Sequence, residues 1–178
     1  MDVTRKWSVV ILICSLLAAM PLCAQSGHAA QNSNNDGDKQ FLKSAAESTL
    51  AAIEFSSAIK DRTPTVAVRA YAESVIDDNH QIRQTLLHLA SKDGVTVATE
   101  LNAPERNKRM QLNKTSPVHL DEQYASLMVS QDQTTISQFQ QEAAGGSDPF
   151  VKEFAHKTLT RLHGELDQAR QIADASQR

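Results

Sequence analysis

The sequence predicts an all-α fold, a four-helix bundle with one long connection that carries a short helix. Three observations predict it. Apolar residues recur at helical spacing from about Lys39 almost to the end of the chain. No stretch alternates apolar and polar residues with the β-branched enrichment of a strand. Pro and Gly fall where long helices would start and stop, leaving two tight connections and one long one.

The first helix is expected over about Lys39–Lys60, ended by Asp61-Arg62-Thr63. Thr63-Pro64 then caps a second helix, with Pro64 at the first position, where a missing N–H costs nothing. That helix runs to Lys92 and stops at Asp93-Gly94. Val95–Asn102 reads as loop, and Ala103–Leu112, with Pro104 near its start, as the short helix. Ser116-Pro117 opens a third long helix that reaches about Ala144 and is terminated by Gly145-Gly146. Ser147-Asp148-Pro149 caps the last, from Pro149 to about Ala175, so the bundle spans 39–175 and residues 176–178 are expected to fray.

Ahead of the bundle, residues 1–24 read as a secretory signal. Arg5 and Lys6 form its basic start. Trp7–Ala19 is its apolar run, at roughly 13 residues too short to span a bilayer comfortably. Pro21 breaks the run, and Leu22-Cys23-Ala24 offers a cut before Gln25, with Ala29-Ala30 a second candidate. An uncleaved anchor is the alternative. A lipid anchor on Cys23 fits less well, because a lipidation site wants a small residue where Leu22 stands. Residues 25–38 are polar and rich in Asn, Ser and Gly, and read as a flexible tether. Both cysteines, Cys14 and Cys23, lie in the signal. The mature chain is therefore expected to lack disulfides, thiolate metal sites and cysteine nucleophiles, and to stand on its hydrophobic core.

Loss of Asp2, Arg5 and Lys6 takes 18 basic and 21 acidic residues to 16 and 20, a net charge of −4. No basic patch or aromatic stripe points to nucleic acid, and Arg106–Arg109 reads as a solvated turn. No second apolar run follows, so no membrane span is expected in the mature chain.

At about 100° per residue, each helix presents an apolar stripe that can be searched for polar members. The first stripe aligns Phe41, Ala45, Ala52, Phe55 and Ile59 with Ser48, and turns Glu54 toward solvent. The second aligns Tyr71, Val75, Ile82, Leu86 and Leu89; Asn79 falls inside it, with Asp78 and His80 off to either side. The third carries Tyr124, Leu127, Met128 and Phe139 with Thr135, and has Gln131 and Asp132 at its margins, facing inward. The fourth aligns Val151, Phe154, Leu162, Ala169 and Ile172, and Glu165 lies within it. Asn79, Gln131, Asp132 and Glu165 are thus expected to meet in an interior polar layer.

A buried carboxylate without a partner costs several kcal/mol or gives up its charge. Three explanations of the layer stay open at this point. It holds a cation; or it is a hydrogen-bonded layer, with a shared proton or with Tyr71 and Tyr124 as donors; or its side chains escape to solvent at the edge of a wide stripe. His28, His80, His88, His119, His156 and His163 all fall in the tether or off the stripes and read as surface residues.

The ordered motifs Asp38-Lys39-Gln40-Phe41 with Ala45-Ala46, Val68-Arg69-Ala70-Tyr71-Ala72 and Val75-Ile76-Asp77-Asp78 form one half of a recognisable pattern. Asp121, Tyr124, Met128-Val129 and Phe139 continue it, followed by Asp148-Pro149, Phe154-Ala155 and Lys157-Thr158-Leu159. Over about Asp38–Ala173 the chain resembles the exported bacterial family known as domain of unknown function 4142. The resemblance implies a ferritin-like form of the bundle. It also implies a changed interior. Asn79, Asp132 and Glu165 stand where the family pattern has histidine, and Ala52 stands where it has glutamate. His80 replaces the missing imidazole only if the helix register shifts by one residue.

These readings set the functional expectation. The chain is expected to be an exported cell-envelope protein, periplasmic or secreted, with a structural, stress-related or host-interaction role. It has no catalytic constellation, no cofactor signature, and an unidentified protein partner in the envelope or host. The alternative is a weak metal-binding or oxidase-like bundle using inward carboxylates, with Asp132, Glu165, Asp78 and His80 as candidate ligands. A weaker third reading, a binder of helix grooves or membrane surfaces, lacks the cationic amphipathic face it would need.

Overall fold

A computed structural model of the chain describes residues 26–176, with side chains from residue 36 onward. The signal segment at 1–24 and the last two residues lie outside the described residues. The order of elements is α1 (Ser26–Ile59), α2 (Val66–Lys92), α3 (Ala103–Lys114), α4 (Pro117–Gly145) and α5 (Pro149–Ser176), with no strand among the described residues. The fold is all-α.

The ends of the helices explain themselves locally. Asp93-Gly94 closes α2 as a Schellman motif: Gly94 takes φ +64°, Val95 N–H donates to Ala90 O at 2.8 Å, and Gly94 N–H donates to Ser91 O at 3.3 Å. Asn102 caps α3 by accepting from Glu105 N at 3.0 Å, and Asp148 caps α5 by accepting from Phe150 N at 2.7 Å and Val151 N at 3.1 Å. The start of α2 differs from expectation. Thr65, not Thr63, is its N-cap and makes no side-chain cap bond. The Thr63 hydroxyl is taken up elsewhere, accepting from Thr65 N at 3.1 Å and donating to Asp121 Oδ1 at 2.5 Å, which ties the α1–α2 turn to α4.

Residues 26–38, expected as a tether, are the first turns of α1. A polar run has no apolar stripe to announce a helix. Once the rest of α1 has formed, though, each added residue gains a backbone bond without a new nucleation cost. Asp38 belongs to the folded body outright. It is buried, and its two carboxylate oxygens accept from Ser147 N at 2.9 Å and Asp148 N at 2.7 Å, pinning the α4–α5 turn to α1. The basic run Arg106–Arg109 is likewise corrected from a solvated turn to part of α3, and Glu54 from a solvated acid to the ion-pair partner of Arg109.

The four long helices close a ring of contacts, α1 with α2, α2 with α5, α5 with α4, and α4 with α1. The short α3 lies in the long connection and packs on α1 and α4. Arg62 secures it by donating to Leu112 O and Thr115 O, both at 2.9 Å, at the carbonyl end of α3. Arg83 donates to Ala46 O at 2.5 Å and Ala98 O at 2.6 Å, fastening the preceding loop against α1 and α2.

Two apolar clusters fill the interior. One gathers Phe41, Leu42, Leu86, Phe139, Val151 and Leu162. Phe41 and Phe139 meet edge to face there, with centroids 4.9 Å apart and planes at 81°. The other gathers Phe55, Ile59, Val75, Leu120, Tyr124 and Met128. Along α2 and α4 the polar residues of the expected layer, Asn79 and then Gln131 and Asp132, fall between the two.

Candidate functional site

The structure buries all four residues of the expected layer: Asn79 and Asp132 are 2 % exposed, Glu165 4 % and Gln131 8 %. They come from α2, α4 and α5. Asn79 Nδ2 donates to Val75 O at 3.0 Å on its own helix and to Glu165 Oε2 at 3.1 Å, linking α2 to α5. Gln131 Nε2 reaches Ser48 O on α1 at 3.4 Å, and Thr135 Oγ1 donates back to Gln131 O at 3.0 Å. Escape to solvent at the edge of the stripe is thus excluded for these four.

Three polar atoms in this region have no hydrogen-bond partner: Tyr71 OH, Asp132 Oδ2 and Glu165 Oε1. Tyr71 lies near enough to Asp132 for its hydroxyl to lower the carboxyl pKa, but the two groups miss hydrogen-bond geometry. Tyr124, the other expected donor, instead pairs its hydroxyl with Ser56 Oγ at 2.7 Å. Burial dominates the electrostatics. It pushes Asp132 up to about 7 against the opposing pull of Tyr71. Burial and then the neighbouring Asp132 push Glu165 up to about 8, with the Asn79 amide working the other way. Burial likewise lifts both tyrosines far above the usual phenol range. Burial therefore shifts both carboxyls toward the protonated form.

The remaining metal candidates are not brought to the layer. Asp78 lies at the rim, 3.4 Å from Arg161, and His80 is exposed. Among the described residues His88, His119, His156 and His163 are also exposed. No group of three or more His, Cys, Asp or Glu side chains is placed to hold a metal among the described residues. Two carboxylates, with an amide bonded to one of them and no imidazole, do not fit a carboxylate–histidine metal centre of the kind helical bundles build.

Sequence reasoning missed a second acidic cluster. Glu142 is buried on α4 with Oε1 unpartnered, beside Asp38 and Asp148. Burial first, then the charge of Asp38, raises its carboxyl to about 7. The signal was available in Gly145-Gly146. A Cβ added at Gly146 would sit 2.1 Å from Glu142 Oε1 and 2.7 Å from Glu142 O, so glycine is what lets this carboxyl pack under the turn.

Fold and interior together define a class: an all-α protein whose apolar core is crossed by an acidic, hydrogen-bonded layer. Within that class the chain belongs to the family described as "Domain of unknown function (DUF4142)", which matches residues 23–172. No curated protein matches it. Among solved structures it is similar to the crystal structure of a DUF305 fragment from Deinococcus radiodurans, at 12 % identity and a TM-score of 0.70, covering 78 % of this chain and 96 % of that one. At that identity the likeness concerns the fold. No helix among the described residues is long and apolar enough to cross a membrane.

Proposed function

We propose that this chain is an exported cell-envelope protein, periplasmic or secreted. In this reading it is a ferritin-like four-helix bundle serving a structural, stress-related or host-interaction role rather than catalysis. The observation that carries the non-catalytic part is the Asn79–Glu165 hydrogen bond inside a layer whose carboxyls burial shifts toward the neutral form. A layer built this way joins helices; it offers no nucleophile–base pair and no imidazole ligand. Support for export comes from the basic, apolar and Pro21-broken N-terminus.

The test is purification of the untagged protein from the periplasm, with its mass and metal content measured together. A mature chain beginning at Gln25 and free of iron, manganese and zinc supports the reading. A full-length cytoplasmic chain refutes export. A second reading, weak binding of a hard cation by Asp132 and Glu165, is favoured by their two unpartnered oxygens. Stoichiometric metal that disappears in the Asp132→Ala, Glu165→Ala double variant would establish it.

A further inference from the structure

We propose that the α4–α5 turn is a proton-operated latch: protonated Glu142 shares its proton with Asp38 and holds the turn closed on α1, and loss of that proton lets the turn open. This goes beyond the envelope reading and stands or falls separately from it. Asp38 reaches from α1 to accept from both Ser147 N and Asp148 N, so one carboxyl already sits inside the turn. Glu142 brings a second from the end of α4, only 6 % exposed and with Oε1 unpartnered. The turn's own backbone closes over it. Gly146 N donates to Glu142 O at 2.8 Å, and a Cβ at Gly146 would lie 2.1 Å from Oε1. Two buried carboxyls side by side cannot both ionise cheaply. One proton between them removes the repulsion and turns Glu142 into a donor.

The charged groups around Glu142 come from α1, the turn and α5. Asp38 and Asp148 oppose its ionisation, and Lys152 favours it. Lys152 is itself tied to Ala144 O at 3.1 Å, and Asp148 to the Phe150 and Val151 amides. Burial first, then Asp38, lifts the Glu142 carboxyl to about 7. A closed turn therefore holds the proton more tightly than an open one. The latch is engaged in acid and is released as pH rises through about 7. Beside it lies a cavity of about 380 Å³ lined by Asp38, Phe41, Gln138, Glu142 and Gly146, which gives the charged carboxylate room to swing out.

The test is amide hydrogen exchange followed by NMR between pH 5 and pH 8, each rate corrected for its intrinsic pH dependence, beside a titration of the Glu142 side-chain carboxyl. Protection of the Ser147 and Asp148 amides is expected to fall about tenfold or more over that range. The Glu142 carboxyl resonance and both amide shifts are expected to titrate together near pH 7. Glu142→Gln should abolish the fall at Ser147 and Asp148 but leave part of the fall at Ala72, a buried α2 amide that exchanges through global unfolding. The Asp132→Asn, Glu165→Gln variant should leave the fall at Ser147 and Asp148 and reduce that at Ala72. Asp38→Asn should lower the Glu142 midpoint. If Glu142→Gln does not fold, the carboxyl titration and the double variant decide. Flat protection at the turn, a fall there that survives Glu142→Gln or follows the double variant, a Glu142 midpoint near the ordinary value of about 4.3, or a midpoint indifferent to Asp38→Asn would overturn the proposal.

Discussion

Glu165 is buried, with one oxygen bonded to Asn79 and the other without a partner in the protein. Removing such a group orphans its partner, because the Asn79 amide would keep Val75 O but lose its bond across to α5. Glu165→Leu is therefore expected to cost about 1–3 kcal/mol in urea unfolding, and a change within about 0.5 kcal/mol would count against the buried layer. The acids also set a pH dependence. Asp132 at about 7, Glu165 at about 8 and Glu142 at about 7 all lie above the value near 4 expected in the unfolded chain. Folded protein thus binds more protons than unfolded protein between these limits. The stability they confer is full at low pH and is lost as pH rises, gone once it passes about 8. Urea midpoints should fall from pH 5 to pH 8. The fall should shrink in the Asp132→Asn, Glu165→Gln variant, and the part that remains should vanish when Glu142→Gln is added.

At the scale of elements, the α4–α5 turn is held from outside its own hairpin. Asp38 on α1 receives both Ser147 N and Asp148 N, and Gly146 leaves room for the Glu142 carboxyl. Asp38→Ala is expected to destabilise by about 1–3 kcal/mol and to speed hydrogen exchange at the Ser147 and Asp148 amides first. Unchanged exchange there would mean the contact is incidental. Gly146→Ala must displace either the Glu142 side chain or the last turn of α4, and is expected to lower thermal stability. The ion pairs on the helix surfaces carry less weight. Lys157–Glu153 and Arg170–Asp167 are mostly exposed, so water and salt screen them.

Across the whole molecule, the polar layer sits between two apolar clusters that share the same four long helices. Because every long helix passes through both clusters, the halves should not melt separately. Phe55→Ala in one and Phe139→Ala in the other are each expected to cost about 3–5 kcal/mol and to leave a single unfolding transition. Two resolved transitions in either variant would show that the layer uncouples the halves.

Much of this architecture was legible in the residues. The 3.6-residue periodicity placed the cores of the long helices within a few positions, because amphipathicity is a property of one helix and its neighbours in sequence. The same periodicity singled out Asn79, Gln131, Asp132 and Glu165 as inward. The family match could be read from ordered motifs such as Val75-Ile76-Asp77-Asp78. What sequence alone left open was everything that depends on two distant segments meeting. Whether Asn79 pairs with Glu165 across α2 and α5 is one case. That Thr63 serves Asp121 rather than capping α2 is another, as are the pairing of Glu54 with Arg109 and the hold of Asp38 on the α4–α5 turn. Each is a contact across a large separation along the chain, and a side chain with several possible partners chooses among them only when packing brings one within reach and excludes water from the rest.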